Sequence, residues 1–198
     1  MKRWRKKATI AALVAAGLFG LGCAVGGDVV AYDVPAESAR YTFESETNGV
    51  KTVWEYTSDR PAKGDAPEQQ PCMGAAIGIT EGECRPEPLI FLRYDLGLAL
   101  DNTAKANGSH VITVTGYYQE RLSTPPKVTA LKVEASFDGG QTWQPAATVA
   151  AGSPNTYTSE INHPGRERVD GAVSLRITAA DDRGNTVTQT MPSAYRLS

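Results

Sequence analysis

Histidine occurs only twice in the 198 residues, at His110 and His163, and cysteine three times, at Cys23, Cys72 and Cys84. Three cysteines are too few for a disulfide-dense scaffold, so a hydrophobic core must carry most of the stability. Neither histidine has a neighbouring cysteine at finger-like spacing, which argues against a zinc site. Gly-x-Gly-x-x-Gly, P-loop and His-Glu-x-x-His patterns are also missing, so nucleotide binding and metalloprotease chemistry have no support. The longest apolar stretch, Ala8–Leu21, falls short of the ~20 residues that cross a bilayer. Acidic residues are absent before Asp28, whereas Lys2, Arg3, Arg5, Lys6 and Lys7 all precede that stretch. Setting those five aside leaves 15 basic residues against 22 acidic ones, which excludes a basic nucleic-acid footprint.

A charged start, an apolar centre and the small residues Gly22, Cys23, Ala24, Gly26 and Gly27 form the layout of a secretory signal peptide over residues 1–24. Trp4 separates Arg3 from Arg5, so the basic cluster is not a twin-arginine signal. Cys23, preceded by Gly22, suits a lipoprotein signal, although Gly20 stands where such signals usually carry Leu. The rival reading is ordinary cleavage after Ala24. The chain is therefore expected to be exported, either anchored in the cell envelope through an acylated Cys23 or released outside the cell. A membrane contact is expected only through that lipid. Residues 25–38 read as a tether, and residues 39–198 as the folded domain.

With Cys23 acylated or discarded, Cys72 and Cys84 remain. An exported chain meets a disulfide-permissive compartment, so a bridge between them is the default expectation. Closing so short a Gly-rich loop contributes roughly 3 kcal/mol on the chain-entropy estimate.

From Ala39 onward the apolar period is two, not 3.6. Val133, Ala135 and Phe137 share one face of Val128–Phe137, and Val173, Leu175 and Ile177 share one face of Ala172–Ala179. Val50–Thr57, Leu89–Leu96, His110–Tyr118, Thr156–Ile161 and Thr186–Met191 are further short runs rich in Val, Ile, Thr and aromatics. Short strands with turn signals between them predict an all-β sandwich of about seven to nine strands. Gly184, in Asp182-Arg183-Gly184-Asn185, supplies the positive φ of a tight hairpin. Phe137-Asp138-Gly139-Gly140-Gln141 does the same after Val133. Residues 58–88, rich in Pro, Gly and charge, read as a long excursion pinned by the disulfide.

Ser136-Phe137-Asp138-Gly139-Gly140-Gln141-Thr142-Trp143 resembles the Asp-box hairpin of sialidases and many secreted β proteins. The resemblance implies structural roles for Ser136, Asp138, Gly140 and Trp143: the Asp bonds turn amides, and the Trp packs under the hairpin. The wider pattern runs from Tyr41–Ser45 through Pro88–Leu96 and this hairpin to Val173–Asp181 and Ala194–Leu197. It is similar to the C-terminal accessory region of secreted actinobacterial subtilisin-like peptidases, over about Ala39–Leu197. That resemblance implies an immunoglobulin- or fibronectin-III-like β-sandwich. The peptidase core is missing: there is no Gly-Thr-Ser-Met-Ala and no His-Gly-Thr-His. A Ser-His-Asp triad needs a base within reach of its nucleophile. His110 opens a strand and His163 sits in a turn, and each reads as an ordinary exposed or capping histidine. The implication is an accessory domain detached from its enzyme, with no catalytic residues and no cofactor.

Other constellations have bland readings beside the sharp ones. Asp138, Asp181, Asp182 and Asn185 suggest a calcium cluster, but EF-hand spacing is absent and hairpin chemistry accounts for them. Trp54, Tyr56, Tyr117, Tyr118 and Trp143 suggest a sugar platform. Trp54, Tyr117 and Tyr118 are its ligand-facing candidates, although aromatics also fill sandwich cores. Glu81 and Glu83 fall in the disulfide loop and read as solvated. Asn107-Gly108-Ser109 is a formal sequon that reads as a turn. The expected function is a non-catalytic module binding a protein partner at the cell surface. The alternatives are a module binding polysaccharide through exposed aromatics, and a hydrolase whose site brings a histidine against a Ser and a carboxylate.

Overall fold

Two left-handed residues, Asn48 at φ 52° and Gly49 at φ 78°, fold the first sheet strands back on each other. A two-residue hairpin with both φ values positive matches the right-handed twist of the strands it joins. The computed structural model describes residues 8–11, 34–62, 64 and 84–198. Among these it contains the strands β1 Ala8–Ala11, β2 Ala39–Thr47, β3 Val50–Ser58, β4 Phe91–Asp95, β5 Thr103–Ala104 and β6 Ser109–Tyr117. They are followed by β7 Val128–Ser136, β8 Gln144–Pro145, β9 Ala147–Ala150, β10 Thr156–Asn162, β11 Val173–Asp181 and β12 Thr186–Leu197. A single 3-10 turn covers Arg166–Arg168, and no α-helix occurs among the described residues.

The strands form two sheets. The larger runs in the order β1-β2-β3-β12-β11-β7-β8 with β5 beside β12, and the smaller in the order β4-β6-β10-β9. Pairing is antiparallel except for β1 on β2 and β5 on β12. The faces expected from the alternation are the inward ones. Val133, Ala135 and Phe137 on the β7 side and Val173, Leu175 and Ile177 on β11 are buried with Ile112, Val114 and Ile161 of the smaller sheet. Burying each such aliphatic side chain stabilises the fold by about 1.5–3 kcal/mol. The chain is thus all-β, with both sheets contributing to one core.

Three differences from the sequence reading have clear causes. Val34 is buried in the core cluster, and Arg60 donates from its amide to Pro35 and from Nε to the Val34 carbonyl. Ordered packing therefore begins inside the tether expected over 25–38. Second, β12 does not stop at Met191. A bulge on β12 sets Pro192, Ser193 and Ala194 opposite Ser174 of β11, between the pairs Leu175↔Met191 and Val173↔Tyr195, and the Ser174 hydroxyl donates to the Pro192 carbonyl at 2.6 Å, so one strand continues to Leu197. Third, β5, β8 and β9 carry no clear alternation and are held by neighbours rather than by propensity.

Most of the 58–88 excursion, with Cys72, lies outside the described residues, as do Cys23 and the greater part of residues 1–24. Its two ends are tied together: Ser58 donates to Glu87 at 2.9 Å, and Arg85 meets Asp59 at 2.6 Å.

Candidate functional site

Residues paired across neighbouring strands project to the same face of a sheet. On the smaller sheet, Val111 stands opposite Glu160 and Thr113 opposite Thr158. Thr158 in turn stands opposite Val149, and Tyr117 opposite Phe91. These positions alternate with the buried Ile112, Val114 and Ser159, so they form the outer face. On that face Val111 is 54%, Tyr117 40% and Val149 63% exposed. Apolar side chains are thus displayed on a face that the core does not need.

Tyr117 ends a ribbon of rings. Phe43 stacks on Trp54 at 5.3 Å, Trp54 meets Phe91 at 6.0 Å, and Phe91 meets Tyr117 at 5.7 Å. The Arg93 guanidinium sits 5.2 Å from the Tyr117 centroid, capping the ribbon with a cation. The ribbon joins the core to the surface.

Beside Tyr117 lies an open cleft of about 260 Å³, lined by Tyr117, Tyr118, Leu122, Pro125, Pro126 and Asn155. The Tyr118 hydroxyl donates to Asp181 at 3.0 Å. Burial, and then the Asp181 charge, push its phenol well above the usual range. Asp181 is itself buried and accepts from the amides of Arg183 and Asn185 and from the Asn185 side chain. The hairpin read as a calcium candidate is therefore satisfied by its own donors. Asp138 follows the end of β7, whereas Asp181 pairs with Val128 at its start. A nine-residue strand separates them by about 25–30 Å, so the four-residue calcium cluster does not assemble.

The hairpin over Ser136–Trp143 is laced by its own side chains. Asp138 accepts from the Ser136 hydroxyl at 2.7 Å and the Thr142 amide at 2.9 Å, and from the Thr142 hydroxyl. The Gly140 amide donates to Ser136 Oγ at 2.9 Å. The Thr142 hydroxyl and amide, with Ser136, hold the Asp138 carboxyl down to about 2. Trp143 is half-buried, and the Arg176 guanidinium covers its ring at 4.4 Å. Arg176 also donates to Glu134 at 2.8 Å, and Lys132 to Glu134 at 2.7 Å.

Trp54 corrects the sugar-platform expectation. It is buried, and its indole N–H donates to the Ile90 carbonyl at 2.8 Å. Tyr56, two residues on, is buried on the same face. Of the three ligand-facing candidates, the structure leaves Tyr117 on the surface and Tyr118 in the cleft wall.

His163 is also corrected: it is buried rather than exposed. Its ring stacks on His110 at 5.1 Å. Nδ1 meets the Lys105 carbonyl and Nε2 the Tyr195 hydroxyl, each at 2.9 Å, while His110 Nε2 meets the Leu96 carbonyl at 2.8 Å. The sequence offered no signal for this cluster, because Lys105 and Tyr195 lie far away along the chain. Cys84 is disulfide-bonded, its partner lying outside the described residues. No group of three or more His, Cys, Asp or Glu poised for a metal occurs among the described residues.

No family model matches the chain, and no curated protein matches it in sequence. Among solved structures, the sulfane dehydrogenase SoxCD from Paracoccus pantotrophus is 18% identical, with a TM-score of 0.27. That likeness covers 48% of this chain and only 23% of the other. It carries no argument about function.

Proposed function

We propose that the chain is an exported, non-catalytic β-sandwich module of immunoglobulin or fibronectin-III type that binds a protein partner at the cell surface. Its resemblance to the accessory regions of secreted subtilisin-like peptidases gives the type of module. The observation that carries the reading is the outer face of the smaller sheet, where Val111, Tyr117 and Val149 face solvent together. Val111, Tyr117 and Val149 are spaced by Thr113, Thr115 and Thr158 on this face, so they offer separate apolar contact points within a polar surface, and tyrosine is enriched at the centres of protein contacts.

The polysaccharide reading loses its tryptophans, since Trp54 is used by the core and Trp143 lies under Arg176. Against the hydrolase reading, both His163 ring nitrogens are engaged, by Lys105 and Tyr195, and His110 Nε2 meets the Leu96 carbonyl. The test is affinity capture on the native chain and on a Tyr117→Ser, Val149→Glu variant, using envelope and culture fractions. A protein captured by the native chain and lost from the variant, with unchanged far-UV circular dichroism, supports the reading. Retention on insoluble cell-wall polysaccharide that depends on Tyr117 would replace it with the sugar reading.

A further inference from the structure

One edge of the larger sheet is met, among the described residues, by β1 alone. β2 pairs with β3 along all nine of its residues, from Ala39↔Ser58 to Thr47↔Val50. Its other edge is met by β1, parallel and in register from Ala8↔Tyr41 to Ala11↔Glu44. Those four residues fall within the stretch expected to be removed on export. A chain cut after Ala24 would lose this strand and, among the described residues, keep no other on that edge of β2, leaving its amides and carbonyls as the usual template for a further strand.

The remaining edges are shorter or guarded. At the far end of the same sheet, β8 with its Pro145 covers Glu134 and Ala135, and proline blocks further pairing. The edge strands of the smaller sheet, β4 and β9, have five and four residues. Charges often defend an edge by pointing past it, but Arg40 and Glu44 of β2 lean the other way. Glu44 is paired with Lys51 of β3 at 3.0 Å. Arg40 donates to the Gly184 carbonyl at 2.6 Å and lies 3.8 Å from Glu55 of β3. The outer edge is left open to approach.

We propose that the outer edge of β2 is a strand-addition site, taking an extended amphipathic segment of a protein partner parallel to Tyr41–Glu44 where Ala8–Ala11 now lies. The two faces of β2 set the partner's chemistry. Tyr41 is buried and Phe43 is stacked on Trp54, so the partner residues opposite them are apolar. Thr42, Glu44 and the exposed Glu46 lie on the other face, so alternate partner residues are polar or basic. Main-chain bonds supply affinity and the alternating side chains specificity, as in other β-augmentation sites. This inference rests on the reading of the chain as an exported, partner-binding module.

The test uses the full chain and a Thr9→Pro variant, since proline within β1 removes a ladder donor. Amide exchange of Tyr41–Glu44 should be at least about tenfold faster in the variant than in the native chain. A synthetic peptide spanning Lys6–Leu13, added in trans, should restore protection, and its Thr9→Pro form should not. Equal exchange in chain and variant, or no restoration by the peptide, would overturn the proposal. Light scattering on the variant is the second measurement. A concentration-dependent dimer with protected β2 amides and no peptide would assign the edge to a second copy and overturn the partner strand. The mass of the amino terminus in protein from the native host is a separate readout. An intact Met1 there sinks the export reading while leaving the exchange results as they are.

Discussion

His163 Nε2 lies 2.9 Å from the Tyr195 hydroxyl, and Nδ1 of the same ring lies 2.9 Å from the Lys105 carbonyl. A carbonyl only accepts, so Nδ1 carries the hydrogen and Nε2 accepts a hydrogen bond from the Tyr195 hydroxyl. The ring is held neutral. Burial is the main cause of its lowered pKa, partly countered by Lys105 and reinforced by the stacked His110. The unfolded chain protonates such a ring near pH 6.5, roughly its ordinary value. The folded state resists, so stability should be lost as pH falls below about 6.5 towards the lower folded value. Urea melts between pH 8 and pH 5 should show that slope, and His163→Gln should flatten it.

Trp54 joins the sheets through the Ile90 carbonyl. Trp54→Phe keeps a ring against Phe43 and Phe91 but strips the buried carbonyl of its donor. The expected loss is about 1–3 kcal/mol, read from equilibrium denaturation. A loss near zero would show that water reaches Ile90.

The alternation of Val133, Ala135 and Phe137 and of Val173, Leu175 and Ile177 was enough to give the core faces, because a strand's period of two is written directly into its side chains. The Asn48-Gly49 turn was equally legible, although the hairpin was not read from it. Trp54 was ambiguous for a physical reason: an aromatic at a strand position looks the same whether its face is core or surface. The His110–His163–Tyr195 cluster could not be seen, since its members lie far apart along the chain and share no local pattern. The run ending at Met191 was too short, because the bulge of Pro192, Ser193 and Ala194 on β12 is fixed by pairing with β11 and leaves no local pattern.

Asp138 should make the hairpin acid-labile. Its carboxyl sits near 2, below the ordinary value, because Thr142 and Ser136 donate to the charged form. A lowered carboxylate contributes stability above its unfolded value of about 3.9, and this fades as pH falls towards the folded value. Amide exchange at Thr142 should therefore accelerate between about pH 4 and pH 2, while the amides of Val173–Ile177 stay protected. Asp138→Ala should show the accelerated exchange already at pH 7.

Gly116 faces inward on β6, and a Cβ there would fall 2.8 Å from Val128 Cγ2 and 3.5 Å from Ile90 Cγ2. Val128 is short, β-branched and buried, so it cannot swing away. Gly116→Ala should destabilise by about 1–3 kcal/mol as overpacking. Adding Val128→Ala should recover part of that loss, and thermal melts of the two variants measure it. A single variant as stable as the native chain would show that β6 and β7 can separate at no cost.

The ends of the 58–88 excursion are already joined without a disulfide, through Ser58–Glu87 and Asp59–Arg85. Leu89 and Ile90, just beyond, are buried in the core. The strands on either side therefore do not depend on a bridge for their placement. Cys84 is expected to pair with Cys72, closing a thirteen-residue span that contains Gly74, Gly78 and Gly82. Such a bridge acts chiefly by restricting the unfolded chain, so replacing both cysteines by Ser should lower stability by about 2–4 kcal/mol at most. The strands should persist, with unchanged far-UV circular dichroism. Non-reducing peptide mapping should show Cys72 linked to Cys84, with Cys23 in neither peptide. A Cys23–Cys84 link would put the amino terminus beside the excursion and remove the acylated anchor. A double variant that failed to fold would mean that the span is part of the core, and that Ser58–Glu87 and Asp59–Arg85 are too weak to hold its ends.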